Sequence, residues 1–249
     1  MKNTFIPKFT YVIPFRFRSD RIIPLKRVID FINGFQGSEV VIVEQDSHSK
    51  ISHLNLRAKH IFLKSELAFN KSWAFNVVLK RAISHVIIFA DADFLMSPND
   101  LIESLKTLEN HDCVIPTNNI ISLSPQESAS DLNQIFSIKR QGFKSAMTNG
   151  CVLFKKEAIQ KLGGWNEDFL GLSQENQFQD IKIKSLLNYK ELEFTGYHLF
   201  HRQDPPNMNF IQRNNQIMEM YKDGNPNTLT NHIQLTLPKI GFKNKYSSL

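Results

Sequence analysis

Between residues 9 and 116 the chain alternates short apolar runs with stretches in which apolar side chains recur every three or four positions. The runs FTYVIP (9–14), EVVIV (39–43), HIFL (60–63), HVIIFA (85–90) and CVIP (113–116) have the length and β-branched content of strands. Between them, 25–35 sets Val28, Ile29, Ile32 and Phe35 on one helical stripe. The span 70–82 groups Trp73, Val77, Val78 and Arg81 on one helical face, and 98–108 predicts a third helix. Strands that alternate with helices need crossovers, so the pattern predicts an α/β fold with a mostly parallel central sheet. The second half is less regular. It predicts a polar surface loop over 120–130, a strand over 151–154 and a helix over 156–162 stopped by Gly163-Gly164. A polar segment (166–180), a helix (181–187), a strand (191–194), a loop (205–209) and a closing helix (210–221) follow.

The most apolar strand ends in chemistry: HVIIFADADFLM (85–96) places Asp91 and Asp93 where the apolar run stops. Parallel sheets bind ligands at the carboxyl ends of their strands. In an extended segment two acids one residue apart point to opposite sides, whereas in a turn they converge. Taken alone the pair reads either as solvated turn residues or as a cation site. His198 and His201 lie three apart beside a strand end, and a carboxylate with imidazoles suits Mn²⁺ or a related divalent ion such as Mg²⁺. No glycine-rich phosphate loop occurs, so a bound diphosphate would need a metal to carry its charge.

Composition narrows the partners. Of 249 residues 41% are apolar and 20 are Phe, which supports a packed core and excludes a disordered chain. Two cysteines, Cys113 and Cys151, make neither a disulfide framework nor a metal pair, so a reducing, cytoplasmic setting is expected. No apolar run reaches the roughly 18 residues of a membrane span, and residues 1–15 do not read as a signal peptide. A formal charge of +6 favours an anionic partner such as a nucleotide or a phospholipid surface. A nucleic-acid role is not expected, because no clustered basic-aromatic surface is apparent.

Several segments resemble one family, in order. IPFRFRSDR (13–21) resembles the IPFRNR segment of the beta-1,4-galactosyltransferases, and FNKSWAFN (69–76) their FNRAKLLN. FADADF (89–94) corresponds to their Asp-x-Asp strand end, GGWNEDFLGLSQEN (163–176) to their GF…WGWGGED stretch, and HLFHRQD (198–204) to their metal-binding RHSRD. The resemblance implies a single glycosyltransferase-A type domain over 1–249. Its first half (1–116) would bind the nucleotide, and 117–249 would bind the acceptor and complete the metal site. It implies a metal-dependent hexosyltransferase that moves Gal, GalNAc or a related hexose from a UDP-sugar to a glycan or glycolipid hydroxyl. Peripheral contact with the inner face of a membrane fits such an acceptor. Carried over, Pro14, Phe15, Arg16 and Arg18 would line the nucleotide pocket, Phe69 would stack on the base, and Lys71 would stand beside the uracil or phosphates. Asp91 would accept from the ribose or the sugar, Asp93, His198 and His201 would hold Mn²⁺, and Glu175 would bond a sugar hydroxyl.

Two departures matter. The family's aromatic donor motif is here Phe169-Leu170-Gly171-Leu172, and Trp165 reads as core. Its Glu-Asp pair is here Glu175-Asn176, as in the Gly-Gly-Glu-Asn motif of the retaining polypeptide GalNAc-transferases. An amide cannot serve as a base, so an inverting reaction would need Glu175, Asp180 or Asp168 instead. Two other classes compete: a nucleotidyltransferase, which would ordinarily carry a glycine-rich loop near the first strand, and a binding module of the same fold that has lost catalysis.

Overall fold

In a computed structural model, which describes residues 8–171, 174–203 and 207–245, eight strands form one sheet in the order β3-β2-β1-β4-β7-β6-β8-β5. The first four are β1 (Phe9–Phe15), β2 (Ser38–Asp46), β3 (Lys59–Lys64) and β4 (Val86–Ala90). The others are β5 (Phe94–Met96), β6 (Cys113–Ser122), β7 (Cys151–Lys155) and β8 (Tyr189–His198). β1 pairs in parallel with β2 and β4, β2 with β3, and β6 with β8, while β7 and β5 run against their neighbours. The expected mostly parallel α/β sheet is therefore present. The carboxyl ends of β1, β4, β6 and β8 share one edge.

Helices cover both faces. α1 (Ile22–Asn33) lays Leu25, Val28, Ile29 and Ile32 on one side of the sheet, with none of the four more than 1% exposed. α2 (Lys71–Leu79) is buried from Ser72 to Leu79 on the other side, packed with Val12, Val43 and Phe89. An amphipathic stripe is not needed in a helix enclosed all round. Asn70 caps it by accepting from the Trp73 N–H at 2.8 Å. Trp165 sits in this second core against Phe75 and Phe89, as its reading as core expects. α3 (Pro98–Leu108) and α6 (Lys156–Lys161) match their expected spans closely.

The irregular half holds more structure than its pattern suggests. Residues 120–122 continue β6, and the rest of the expected 120–130 loop folds mostly into α4 (Pro125–Ala129), closed by a Ser124–Glu127 capping box. α5 (Leu132–Ser137) follows. The polar segment 166–180 is not all loop: α7 (Glu175–Leu186) starts six residues before the expected helix. Its Glu175, Asn176, Gln179, Asp180 and Lys182 are polar yet buried, so no apolar stripe announces it. β5 is only three residues long, and α9 (Pro226–Thr236) lies beyond the last expected helix, which forms as α8 (Met208–Glu219). Part of the expected loop 205–209, as well as Leu172 and Asp204, lies outside the described residues.

Candidate active site

A cleft of about 500 Å³ opens at the shared carboxyl edge of the sheet. The chain turns sharply where β4 ends: the Phe94 N–H donates to Asp91 O at 3.3 Å, and three-residue β5 pairs antiparallel with β8, setting Phe94 opposite His198. Asp93 O accepts the Leu199 N–H at 2.8 Å. This short strand is what brings the acid and the two histidines together. His201 Nε2 lies 2.9 Å from Asp93 Oδ2, and His198 Nε2 lies 3.3 Å from Oδ1. One ligand atom from each of the three residues falls within 4.8 Å of the others.

These residues fit a cation. His201 Nδ1 is 2.7 Å from Arg202 O. A carbonyl only accepts, so Nδ1 carries a proton there, and Nε2 faces the Asp93 carboxylate. Two electron-rich atoms at that distance need a proton or a cation. Metal-binding histidines use the same arrangement, with the second ring nitrogen donating to a carbonyl. Asp93 Oδ1 is buried and makes no hydrogen bond, which leaves a ligand atom available. Burial by itself raises the Asp93 carboxyl, but His198 and His201 outweigh it and hold it below the usual carboxylate range. The hydrogen bond to Asp93 in turn holds the His201 imidazole above its usual value.

Asp91 takes a different partner. Lys71, the first residue of α2, places Nζ 2.6 Å from Asp91 Oδ1. Burial pushes the Lys71 ammonium down, but Asp91 and then Glu175 more than restore it, so it stays charged. Asp91 also closes the far wall: its N–H donates to Gly150 O at 2.9 Å, and the Gly150 N–H donates back to Asp91 Oδ2 at 3.3 Å. Gly150 has φ +79°, and a Cβ there would lie 2.5 Å from the Phe94 ring. Only glycine allows the wall to approach so closely.

The candidate residues divide. Pro14, Phe15, Arg16, Phe69, Lys71, Asp91 and Asp93 line the cleft together with Glu175, Asn176, His198 and His201. Arg16 is braced by its Nε to Gln45 O at 3.0 Å and its Nη2 to Leu67 O at 2.7 Å, with its guanidinium 5.8 Å from the centre of the Phe69 ring. Arg18 does not line it; its guanidinium pairs with Asp20 at 3.0 Å, and Arg21 lines the cleft instead. Asp180 is also outside. It accepts from Met147 N at 2.7 Å, Thr148 N at 3.0 Å and Thr148 Oγ1 at 2.8 Å, so its lone pairs are committed to structure. Burial pushes its carboxyl up. Phe169 packs on Phe178 in a third small core. Phe143, Ser145 and Asn149 line the cleft unforeseen. Their segment looks like an ordinary polar linker, and its role comes only from crossing the sheet edge.

The chain's likeness to known proteins follows from this architecture. The model of glycosyl transferase family 2 matches residues 12–163, more than half of the chain. No curated protein matches it. Among solved structures, S. aureus TarS 1-349 superposes with TM-score 0.58 at 14% identity over 95% of this chain and 71% of that one. A longer TarS chain is spanned to only 37% of its length. GalNAc-T7, solved with UDP, GalNAc and Mn²⁺, gives TM-score 0.61 at 15% identity over 88% of this chain and 49% of that one. A Drosophila beta-1,4-galactosyltransferase 7 mutant with manganese, UDP-Gal and xylobiose gives 0.52 at 16% identity, covering 82% and 78%. At such identities these neighbours share the fold, the glycosyltransferase-A arrangement implied by the sequence segments. With the family model spanning most of the sheet and both aspartates of the strand-end turn, the chain belongs to glycosyl transferase family 2.

Proposed function

We propose that this glycosyltransferase moves a hexose from a UDP-sugar to a glycan hydroxyl, with a divalent cation, Mn²⁺ or Mg²⁺, held by Asp93, His198 and His201. The Asp93–His198–His201 cluster carries the reading, because it stands in a cleft that also holds the Lys71–Asp91 pair. Two fold neighbours were solved with UDP or UDP-Gal and manganese. The bound cation supplies Lewis-acid stabilisation of the departing diphosphate. Lys71, Arg16 and Arg21 add fixed positive charge around that leaving group. Phe69 offers a ring for the base, with Pro14 and Phe15 as floor. Asp91 accepts from the ribose or the sugar, and Glu175 from a sugar hydroxyl. The acceptor oxygen bonds to the anomeric carbon as the carbon–phosphate oxygen bond breaks; the electron pair leaves with the diphosphate, and the hydroxyl proton passes to a carboxylate such as Glu175 in an inverting reaction or to the departing phosphate in a retaining one.

On this reading residues 1–116 supply the nucleotide-binding half, while 117–249 supply the acceptor side and complete the metal site. A glycan or glycolipid acceptor fits, and the +6 charge favours work at an anionic membrane face. Among the described residues no helix is long and apolar enough to cross a membrane. Titrating UDP into the protein with Mn²⁺ and then with EDTA tests the reading. Binding that is tight only with the cation is expected, and equal affinity in both would overturn it. Transfer from a UDP-sugar separates the enzyme from a binding module that has lost catalysis.

A further inference from the structure

The segment 145–150 crosses the open edge of the sheet and forms one wall of the cleft. It is held at three points. Asp180 takes the N–H groups of Met147 and Thr148 and the Thr148 hydroxyl, Asp91 takes the N–H of Gly150, and the Asn176 amide donates to Asn149. Asn176 and Asp180 are four apart on α7 and so share one face of it. The two therefore grip the same segment, one through its carboxylate oxygens and the other through its amide.

The grip has a direction. Asn176 Nδ2 donates to Asn149 Oδ1 at 2.6 Å, and Asn149 Nδ2 donates to Ser145 Oγ at 2.6 Å. The relay uses the nitrogen end of the Asn176 amide on the wall and leaves its oxygen. That oxygen is buried and has no hydrogen-bond partner, on a residue 8% exposed that lines the cleft. A buried acceptor left unmet is penalised unless a ligand supplies the donor. We propose that Asn149, supported by Ser145, is a positioning residue that holds the Asn176 amide with Oδ1 ready to accept from a hydroxyl of the transferred sugar. The inference rests on the glycosyltransferase reading above. A site that hydrogen-bonds a substrate hydroxyl discriminates far more sharply than one that only encloses it.

Calorimetry with Mn²⁺ tests it, using UDP and the four donors UDP-Glc, UDP-Gal, UDP-GlcNAc and UDP-GalNAc. The quantity read is the affinity of the best UDP-hexose relative to UDP. Asn149→Ala is expected to lower that ratio about tenfold, the size of one typical hydrogen bond, and to leave UDP itself unchanged. Asn176→Ala should lower it similarly, and Asn149→Ala should then change it less than twofold in the Asn176→Ala background. Equal losses in both backgrounds would overturn the positioning role, since Asn149 would then touch the sugar itself. An unchanged ratio in Asn149→Ala would overturn it too. Ser145→Ala, at the exposed end of the relay, gives a second reading should Asn149→Ala fail to fold; a loss of about two- to threefold is expected, and no loss counts against the relay. Failure of the wild-type protein to bind UDP with Mn²⁺ would instead remove the donor-site reading, which separates the two failures.

Discussion

Replacing Asp93 with Ala removes the acid from the proposed cation site and almost nothing else. The Asp93 backbone carbonyl that holds Leu199 survives, and the side-chain contacts are with His198 and His201. The cost in the metal-free protein is one charge-assisted hydrogen bond, about 1.5–3 kcal/mol. For a chain of 249 residues the unfolding entropy near the midpoint is about 0.5 kcal/mol per degree, so Tm falls by roughly 3–6 °C and the fold is kept. Cation binding gives the sharper signal. Mn²⁺ with UDP at 100 times its dissociation constant stabilises the wild type by about 2.7 kcal/mol, or about 5 °C. The variant gains nothing from Mn²⁺ and has lost transfer. Differential scanning fluorimetry with and without Mn²⁺, paired with circular dichroism and a transfer assay, reads all three. A variant that still shows the Mn²⁺-dependent shift, or near-normal turnover, would refute the assignment of Asp93.

The same pair gives a pH signature without metal. His201 is held above its usual 6.5 by Asp93, so its stabilisation is complete below that value and is lost as pH rises through the raised value. Asp93 is held below its usual 3.8, so its stabilisation is present above that value and is lost as pH falls through the depressed one. Melting of the wild type and of Asp93→Ala in EDTA across pH 5–9 should diverge most at the acid end of that range, and parallel curves would count against the pair. Gly150→Ala forces a Cβ to 2.5 Å from the Phe94 ring at φ +79°, and a destabilisation of about 2–4 kcal/mol by urea unfolding is expected; an unchanged midpoint would show that the wall yields freely. Lys71→Met strips Asp91 of its 2.6 Å partner and should weaken UDP-sugar binding by about 10- to 100-fold in calorimetry, whereas retained affinity would place Lys71 outside the donor site. Glu175→Gln should lower kcat by about 10²- to 10⁴-fold if this carboxylate takes the acceptor proton, and undiminished turnover would exclude it.

What could be read ahead of the structure follows physical lines. The strands β1, β2 and β4 and the helices α1 and α3 bury apolar stripes, so periodicity marks them. Asp91 and Asp93 stand out because they interrupt the most apolar strand at its carboxyl end. α7 is half hidden for the opposite reason: its buried face carries Glu175, Asn176 and Asp180, which hydrophobic patterning marks as surface. In sequence Asp180 stands beside the Glu175-Asn176 pair as a candidate base, but its three hydrogen-bond donors come from 147–148, more than 30 residues upstream. Arg18 and Arg21 show the limit of motif matching. A 3-10 turn over Ser19–Arg21 follows β1, and Arg21 reaches the cleft while Arg18 is occupied by Asp20. Asn149 and Gly150 belong to no motif. Only the antiparallel insertion of β7 beside β4 brings them to Asp91.

The commitments of the carboxylates narrow the chemistry. A base must be ionised, close to the substrate and not already engaged by several donors. Asp180 accepts three hydrogen bonds from the 147–148 backbone and the Thr148 hydroxyl, and it lies off the cleft. Asp91 is paired with Lys71, and Asp93 faces the two histidines. Asp168 is exposed and does not line the cleft, and its backbone oxygen accepts from Arg213. Position 176 is an amide already bonded to Asn149. Glu175 lines the cleft from the first position of α7, where the helix dipole favours a carboxylate, and it lies close enough to Lys71 to help keep that ammonium charged. On the proposed reading, an inverting reaction would draw its protein base from Glu175, which lines the cleft where Asp168 and Asp180 do not. Retention would need none, because the departing phosphate can take the proton on the same face. The amide at 176 thus moves the stereochemical question onto its neighbour, one residue earlier on the same helical turn.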